Sequence, residues 1–122
     1  MKKKIPDINP IIEEIMSHNK RDRIGMIASH LGVVRGYSLN GKKVNGLEIS
    51  FDDKTIKKIT EKIKARDGIV DVNVRLNEGK LQVGDWVMLV VVAGETRGSV
   101  FPGLIDMVDM IKKDASMKKE IF

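Results

Sequence analysis

The spacing of hydrophobic residues changes along the chain between the pattern of strands and the pattern of helices. Eight consecutive apolar residues follow Gly84-Asp85, and such a run predicts a strand that is buried on both faces. Elsewhere apolar and polar residues alternate, which is typical of a strand with one face on the core. The predicted strands are 23–34, 47–51, 69–76 and 86–93, with a short extended piece at 80–84.

In three other segments the apolar residues recur every three or four positions, which predicts amphipathic helices. The first helix opens at Asn9-Pro10, where asparagine would cap it and proline would occupy its first turn. Asp52 or Asp53 would cap the second helix, and the third follows the loop 94–99. This order predicts one α+β domain over residues 1–122, in two layers, with helices on a single mixed or antiparallel sheet.

The third helix carries a lysine on its predicted apolar side. At 100° per residue, Lys112 lines up with Phe101, Ile105 and Val108. A lysine in this position can lay its stem on the core and extend its amine to water. Alternatively, a partly desolvated amine lies beside an anion site formed by Arg97 and the first helical turn, where it would serve as a nucleophile or an acid–base group. Both interpretations stay open at this stage.

Composition excludes several kinds of chemistry and favours anionic partners. The chain has no cysteine and only two histidines, His18 and His30, so we expect no disulfide, no cysteine nucleophile and no metal site. The longest apolar run is too short to span a membrane, and we expect a cytoplasmic protein. The net charge of +5 favours a phosphorylated small molecule or a nucleic acid. Nucleic acid is the weaker candidate, because aromatic residues are scarce and Trp86 and Phe101 are expected in the core.

Several motifs follow one another in the order and spacing of a known family. Gly32-Val-Val-Arg35 precedes a glycine-rich loop and a Leu-Glu strand, and Gly79-Lys-Leu-Gln-Val-Gly-Asp85 precedes the apolar strand. Thr96-Arg97 then opens the helix that ends in Asp109-Met-Ile-Lys112, and Lys118-Lys119-Glu120 follows. With these motifs the chain resembles, over nearly its whole length, the large (catalytic) subunit of molybdopterin synthase.

The resemblance implies an α/β hammerhead-like fold, a homodimer and a small ubiquitin-like partner on each protomer. The C-terminal Gly-Gly thiocarboxylate of this sulfur carrier would enter a pocket and donate sulfur to a cyclic pyranopterin monophosphate. Two such transfers would build the dithiolene of molybdopterin. No metal or other cofactor is implied, because the sulfur comes from the partner.

The resemblance also assigns roles to individual residues. Arg35 and Arg97 would hold the substrate phosphate or the terminus of the partner. Lys112 would be one catalytic lysine. The second would be Lys119 in an ungapped match, or Lys118 if the Lys-Lys-Glu ending is matched instead.

Some expected site residues differ from the family pattern. Thr96 stands where the family has a histidine, and His30 stands where it has an aromatic residue; both are predicted to contact substrate. The Pro-x-Trp expected before the second lysine is also missing. An alternative interpretation is therefore a non-catalytic paralogue that acts as a dimeric binding or regulatory module.

Overall fold

The computed structural model describes residues 3–122, so the first two residues of the expected domain 1–122 lie outside the described residues. In chain order the described part contains α1 (Ile8–Met16), β1 (Met26–Val33), β2 (Gly46–Phe51), α2 (Asp53–Lys64), β3 (Ile69–Leu76), β4 (Gly79–Gln82), β5 (Trp86–Gly94), α3 (Arg97–Met110), a π-helical segment (Ile111–Ala115) and β6 (Ser116–Ile121). A short 3₁₀ turn at Arg21–Arg23 precedes β1. None of these helices is long and apolar enough to cross a membrane.

The strands form two three-stranded sheets, in the orders β1-β5-β3 and β4-β2-β6, and every ladder is antiparallel. The predicted α+β class is confirmed, whereas the single sheet is wrong. Alternating apolar residues show which face of a strand is buried but not which strand it pairs with. The strand β6 was not predicted either, because its sequence is mostly polar and becomes a strand by pairing with β2.

The central strand β5 is buried along its whole length, as the apolar run predicts. Val90 and Val92 face α2 and α3 in the main hydrophobic cluster. Val91 and Ala93 face the opposite way and pack against α1. Helices thus cover both faces of the first sheet, which explains why β5 carries no polar position.

The helix starts agree only in part with the expected caps. The carboxylate of Asp52 accepts hydrogen bonds from the backbone N–H of Lys54 and from the Thr55 hydroxyl, so the predicted cap of α2 is confirmed. These interactions, the Thr55 hydroxyl first, lower the pKa of Asp52. The cap expected at Asn9 is wrong: α1 begins at Ile8, and the Asp7 carboxylate accepts from the Asn9 N–H at 3.0 Å.

The packing of α3 differs from the predicted wheel. Phe101 and Ile105 are 46% and 58% exposed, so the expectation that Phe101 lies in the core is wrong. The helix instead buries Val100 and Met107, together with Gly103. A side chain at Gly103 would approach Ile69 Cδ1 to 3.1 Å, so the glycine lets the helix lie close to the sheet. Apolar residues occur nearly all round α3, and periodicity alone could not identify the buried side.

Candidate active site

A cavity of about 580 Å³ opens where the two sheets meet. Its walls come from the edge strand β1 and from β2 and β6 of the second sheet, with the loop after β1 and the end of α3 completing it. Leu39, Ile49 and Met88 supply apolar surface. The side chains that can exchange protons or bind ions are His30, Arg35, Tyr37, Lys112, Lys118 and Glu120.

Lys112 lies in the cavity wall immediately after α3 changes to the π-helical segment. It is exposed, as expected for a lysine that extends its amine to water; on the same predicted side of the helix Val108 is buried, whereas Phe101 and Ile105 are exposed. From Ile111 the hydrogen-bond spacing of the helix changes from i→i+4 to i→i+5, so the rotation per residue falls below 100° over Ile111–Ala115. The Lys112 carbonyl also accepts a hydrogen bond from the Ser116 hydroxyl at 2.9 Å, which fixes the backbone where β6 begins.

The two adjacent C-terminal lysines point to opposite faces of β6. Lys118 pairs with Ile49, which is buried at the cavity, whereas Lys119 pairs with the exposed Glu48. Opposite residues of an antiparallel pair share a face. Lys118 therefore faces the cavity with Lys112, while Lys119 borders a groove on the outer side with Glu48.

His30 lies on the cavity side of β1, opposite Val90. Its Nε2 is buried, and no residue of the described range 3–122 forms a hydrogen bond with that atom. Burial, and then the nearby charge of Lys112, lower the pKa of His30. A Cβ at Gly32, two residues along the strand, would lie 3.4 Å from Nε2, so the imidazole ring lies directly beside this glycine.

Arg35 belongs to the loop that joins β1 to β2, and its guanidinium lies 5.7 Å from the centre of the Tyr37 ring. The loop is closed by backbone hydrogen bonds, among them one from the Val44 N–H to the Gly36 carbonyl. Its far end contacts the C-terminus. The Asn45 N–H donates to the Ile121 carbonyl at 2.7 Å, and Lys42 Nζ lies 4.7 Å from the centre of the Phe122 ring.

Arg97 and Thr96 lie at the other end of α3 from Lys112. A helix rises 1.5 Å per residue, so the 15 residues between Arg97 and Lys112 separate them by about 22 Å along the axis. Both residues are exposed, and neither lines the cavity. Nearby Glu95 pairs with Arg23 at 2.5 Å.

The fold thus brings some of the predicted site residues together and separates others. His30, Arg35, Lys112 and Lys118 surround the cavity, whereas Thr96, Arg97 and Lys119 lie outside it. Sequence reasoning missed Tyr37 and Glu120. Glu120 could have been found from its spacing of two from Lys118, had β6 been recognised as a strand. Within the described residues, no group of three or more histidines and carboxylates is arranged to hold a metal ion.

In a comparison with family models, residues 5–114 match the model of the MoaE protein. The molybdopterin synthase catalytic subunit of Pyrococcus abyssi is 32% identical over 98% of this chain and 82% of its own length. That of Ralstonia nicotianae is 30% identical over 82% of this chain. The matched region spans 58% of the length of the Ralstonia protein.

Solved structures share the fold. Molybdopterin cofactor biosynthesis protein E from Burkholderia multivorans matches with a TM-score of 0.75 and 30% identity, over 98% of this chain and 83% of the other. A structure from Helicobacter pylori, described as a complex of subunits 1 and 2 of molybdopterin-converting factor, matches with a TM-score of 0.66. The matched chain is 19% identical, with coverage of 96% and 84%, and this likeness concerns the fold alone.

Proposed function

The chain belongs to the MoaE family, and on that basis we propose that it is the large, catalytic subunit of a molybdopterin synthase. The observation that carries the proposal is the cavity in which Arg35, Lys112 and Lys118 converge. Three cationic side chains with one carboxylate, that of Glu120, suit a substrate with a phosphate group and a donor with an anionic terminus.

The reaction we propose is sulfur transfer to cyclic pyranopterin monophosphate. The donor is the thiocarboxylated Gly-Gly terminus of a small ubiquitin-like subunit. In each transfer the thiocarboxylate sulfur bonds to a carbon of the pterin substrate while a carbon–oxygen bond of that carbon breaks; the oxygen leaves as water or, where it is esterified, stays on the phosphate. Hydrolysis of the acyl–sulfur bond then releases the donor as a carboxylate, so the exchange of sulfur for oxygen is balanced without an oxidant. Two transfers give the dithiolene.

The arginine and the two lysines of the cavity have different proposed roles, which follow from their chemistry. Arg35 binds the phosphate or the carboxyl terminus of the donor, because a guanidinium forms paired hydrogen bonds with such anions. Lys112 and Lys118 serve as the catalytic amines that deliver protons to the departing oxygen. Lys118 is preferred to Lys119 because it shares the cavity with Lys112.

We also propose that the site is completed in a homodimer. Arg97 and Thr96 are too far from Lys112 in the same protomer to contact one ligand with it, so they would act in the site of a second copy. The small partner is supported by the two-subunit complex described for the Helicobacter pylori neighbour. A cytoplasmic location suits the proposal, because a thiocarboxylate persists in a reducing compartment.

The decisive experiment is a sulfur-transfer assay with a thiocarboxylated small subunit and cyclic pyranopterin monophosphate. The wild-type protein should form the dithiolene product, and Lys112→Ala should reduce the rate by about 10²-fold or more, as expected for loss of an acid–base group. Lys113→Ala is the matched control, since Lys113 is exposed and lies outside the cavity. Binding of the small subunit without product in the wild type would instead establish a non-catalytic binding module.

A second assay tests the dimer. Homodimers of Arg97→Ala and of Lys112→Ala should each be impaired. If Arg97 acts across the interface, mixed dimers regain activity, because one of their two sites contains both native residues. Mixed dimers without any recovery would show that Arg97 does not serve the site of the other copy.

A further inference from the structure

The cavity contains an ionisable side chain, His30, that has no role in the proposed reaction. His30 Nε2 is buried, and nothing within residues 3–122 satisfies it. A buried polar atom without a hydrogen bond is destabilising, so an imidazole nitrogen in a cavity wall is expected to have a partner.

The surrounding charges favour an imidazole that accepts a hydrogen bond. The ionisable neighbours are Arg35 and Tyr37 from the loop, Lys112 from the π-helical segment, and Lys118 and Glu120 from β6. The sides of the cavity from β2 and β5 are apolar. With three cations and one carboxylate, this environment disfavours the doubly protonated ring, in agreement with the lowered pKa of His30.

We propose that His30 is a positioning residue for Lys112, whose amine donates a hydrogen bond to the imidazole and is thereby held toward the cavity. A lysine amine offers donors only, and the neutral imidazole offers one acceptor, so the two groups are complementary. Both residues line the same cavity, and the four-carbon stem of the lysine is flexible enough to turn its amine toward the imidazole. The inference rests on the proposed function only in taking Lys112 as the catalytic amine.

The pairing gives the reaction a defined pH dependence. Above its lowered pKa the imidazole is neutral and accepts from Lys112. Below that pKa the imidazolium has no acceptor and repels the ammonium, so kcat falls as the pH drops through this range. Protonation of His30 acts on the orientation of Lys112 rather than on substrate binding, and KM should change little.

Two substitutions separate positioning from packing. His30→Phe keeps a ring but removes the hydrogen-bond acceptor. In this variant kcat should fall about tenfold, while KM stays within about twofold of the wild type. The pH profile of kcat should lack the acid limb attributed to His30. His30→Gln restores an acceptor; kcat should return to within about threefold of the wild type and should also lack that acid limb. If His30→Phe retains the wild-type kcat and pH profile, the ring only packs and the proposal is overturned.

A measurement without turnover distinguishes failure of this inference from failure of the proposed function. NMR titration in a His18→Asn background leaves His30 as the single imidazole. Lys112→Met should raise the pKa of His30 toward its ordinary value, and Lys113→Met should leave it unchanged. Unchanged titration in Lys112→Met would refute the pairing. A clear shift in a protein that makes no product would support the pairing and refute the proposed reaction.

Discussion

The two sheets use their residues in different ways. In the sheet β1-β5-β3, helices cover both faces of the central strand, and every residue of β5 is buried. In the sheet β4-β2-β6, each strand has exposed positions, and β6 exposes four of its six residues, among them Lys118 and Lys119. The comparison indicates that the first sheet supplies most of the stability, whereas the second brings charged side chains to the cavity.

The strongest test of this division is a truncation in the packing of the first sheet. Ile63 of α2 is 0% exposed, and Ile63→Ala should lower the free energy of unfolding by about 2–5 kcal/mol through lost burial and a residual cavity. Chemical denaturation measures the change. Ile105→Ala is the matched control, because this isoleucine is exposed and its loss should cost less than about 0.5 kcal/mol. Equal losses in the two variants would contradict the assignment of the core.

The second sheet is tested by its adjacent lysines. Lys118→Met should slow sulfur transfer by about 10- to 100-fold, the effect of losing a charge-assisted hydrogen bond of about 1.5–3 kcal/mol. Lys119→Met should remain close to the wild type, because Lys119 faces the outer groove. Both variants should unfold within about 0.5 kcal/mol of the wild type. Greater impairment in Lys119→Met would show that the cavity face of β6 is not the catalytic face.

A smaller effect is expected where the second sheet holds the loop beside the cavity. Phe122→Ala removes the ring beneath Lys42, an exposed cation–π contact worth about 0.5–1 kcal/mol. Hydrogen exchange at Val44 and Asn45 should accelerate, while exchange in β5 stays unchanged. Phe122→Tyr retains the aromatic face and should behave like the wild type. Unaltered exchange at both loop amides in Phe122→Ala would show that the backbone hydrogen bonds alone hold the loop.

The smallest expected effect is on the pH dependence of stability, through His30 at the junction of the two sheets. The pKa of His30 is lower in the folded protein than the ordinary value of 6.5. The unfolded chain therefore binds more protons between that lowered pKa and 6.5, and stability rises with pH across this window. This rise of stability with pH should disappear in His30→Phe and persist in His18→Asn. Thermal unfolding over the acidic range gives the measurement, and a slope retained in His30→Phe would assign it to another group.

Local features of the fold could be predicted from the sequence, and long-range ones could not. The buried strand β5 and the Asp52 cap follow from neighbouring residues, whose burial and hydrogen bonding are local matters. The division into two sheets depends on which strands pair, and β2 and β6 are far apart in sequence. The spacing of apolar residues does not show which strands pair, and it does not predict the strand β6.

The candidate site shows the same limit. Arg35 and Lys112 were predicted from the family resemblance, which left Lys118 and Lys119 as alternatives; only the register of β6 shows that Lys118 is the one on the cavity side. The helical wheel placed Lys112 on an apolar side that is in fact exposed at Phe101 and Ile105. The π-helical segment changes the rotation per residue, and no pattern in the sequence predicts such a segment.

The π-helical segment has a consequence for insertions and deletions during evolution. It adjoins β6, so loss or gain of one residue within it could be absorbed by a one-residue slip of β6 along β2. Such a slip turns every side chain of a strand to the opposite face. Because Lys118 and Lys119 are consecutive, a slip of one residue in either direction turns Lys118 away from the cavity and Lys119 toward it. The repeated lysine therefore makes the presence of an amine at this wall tolerant of small changes in chain length.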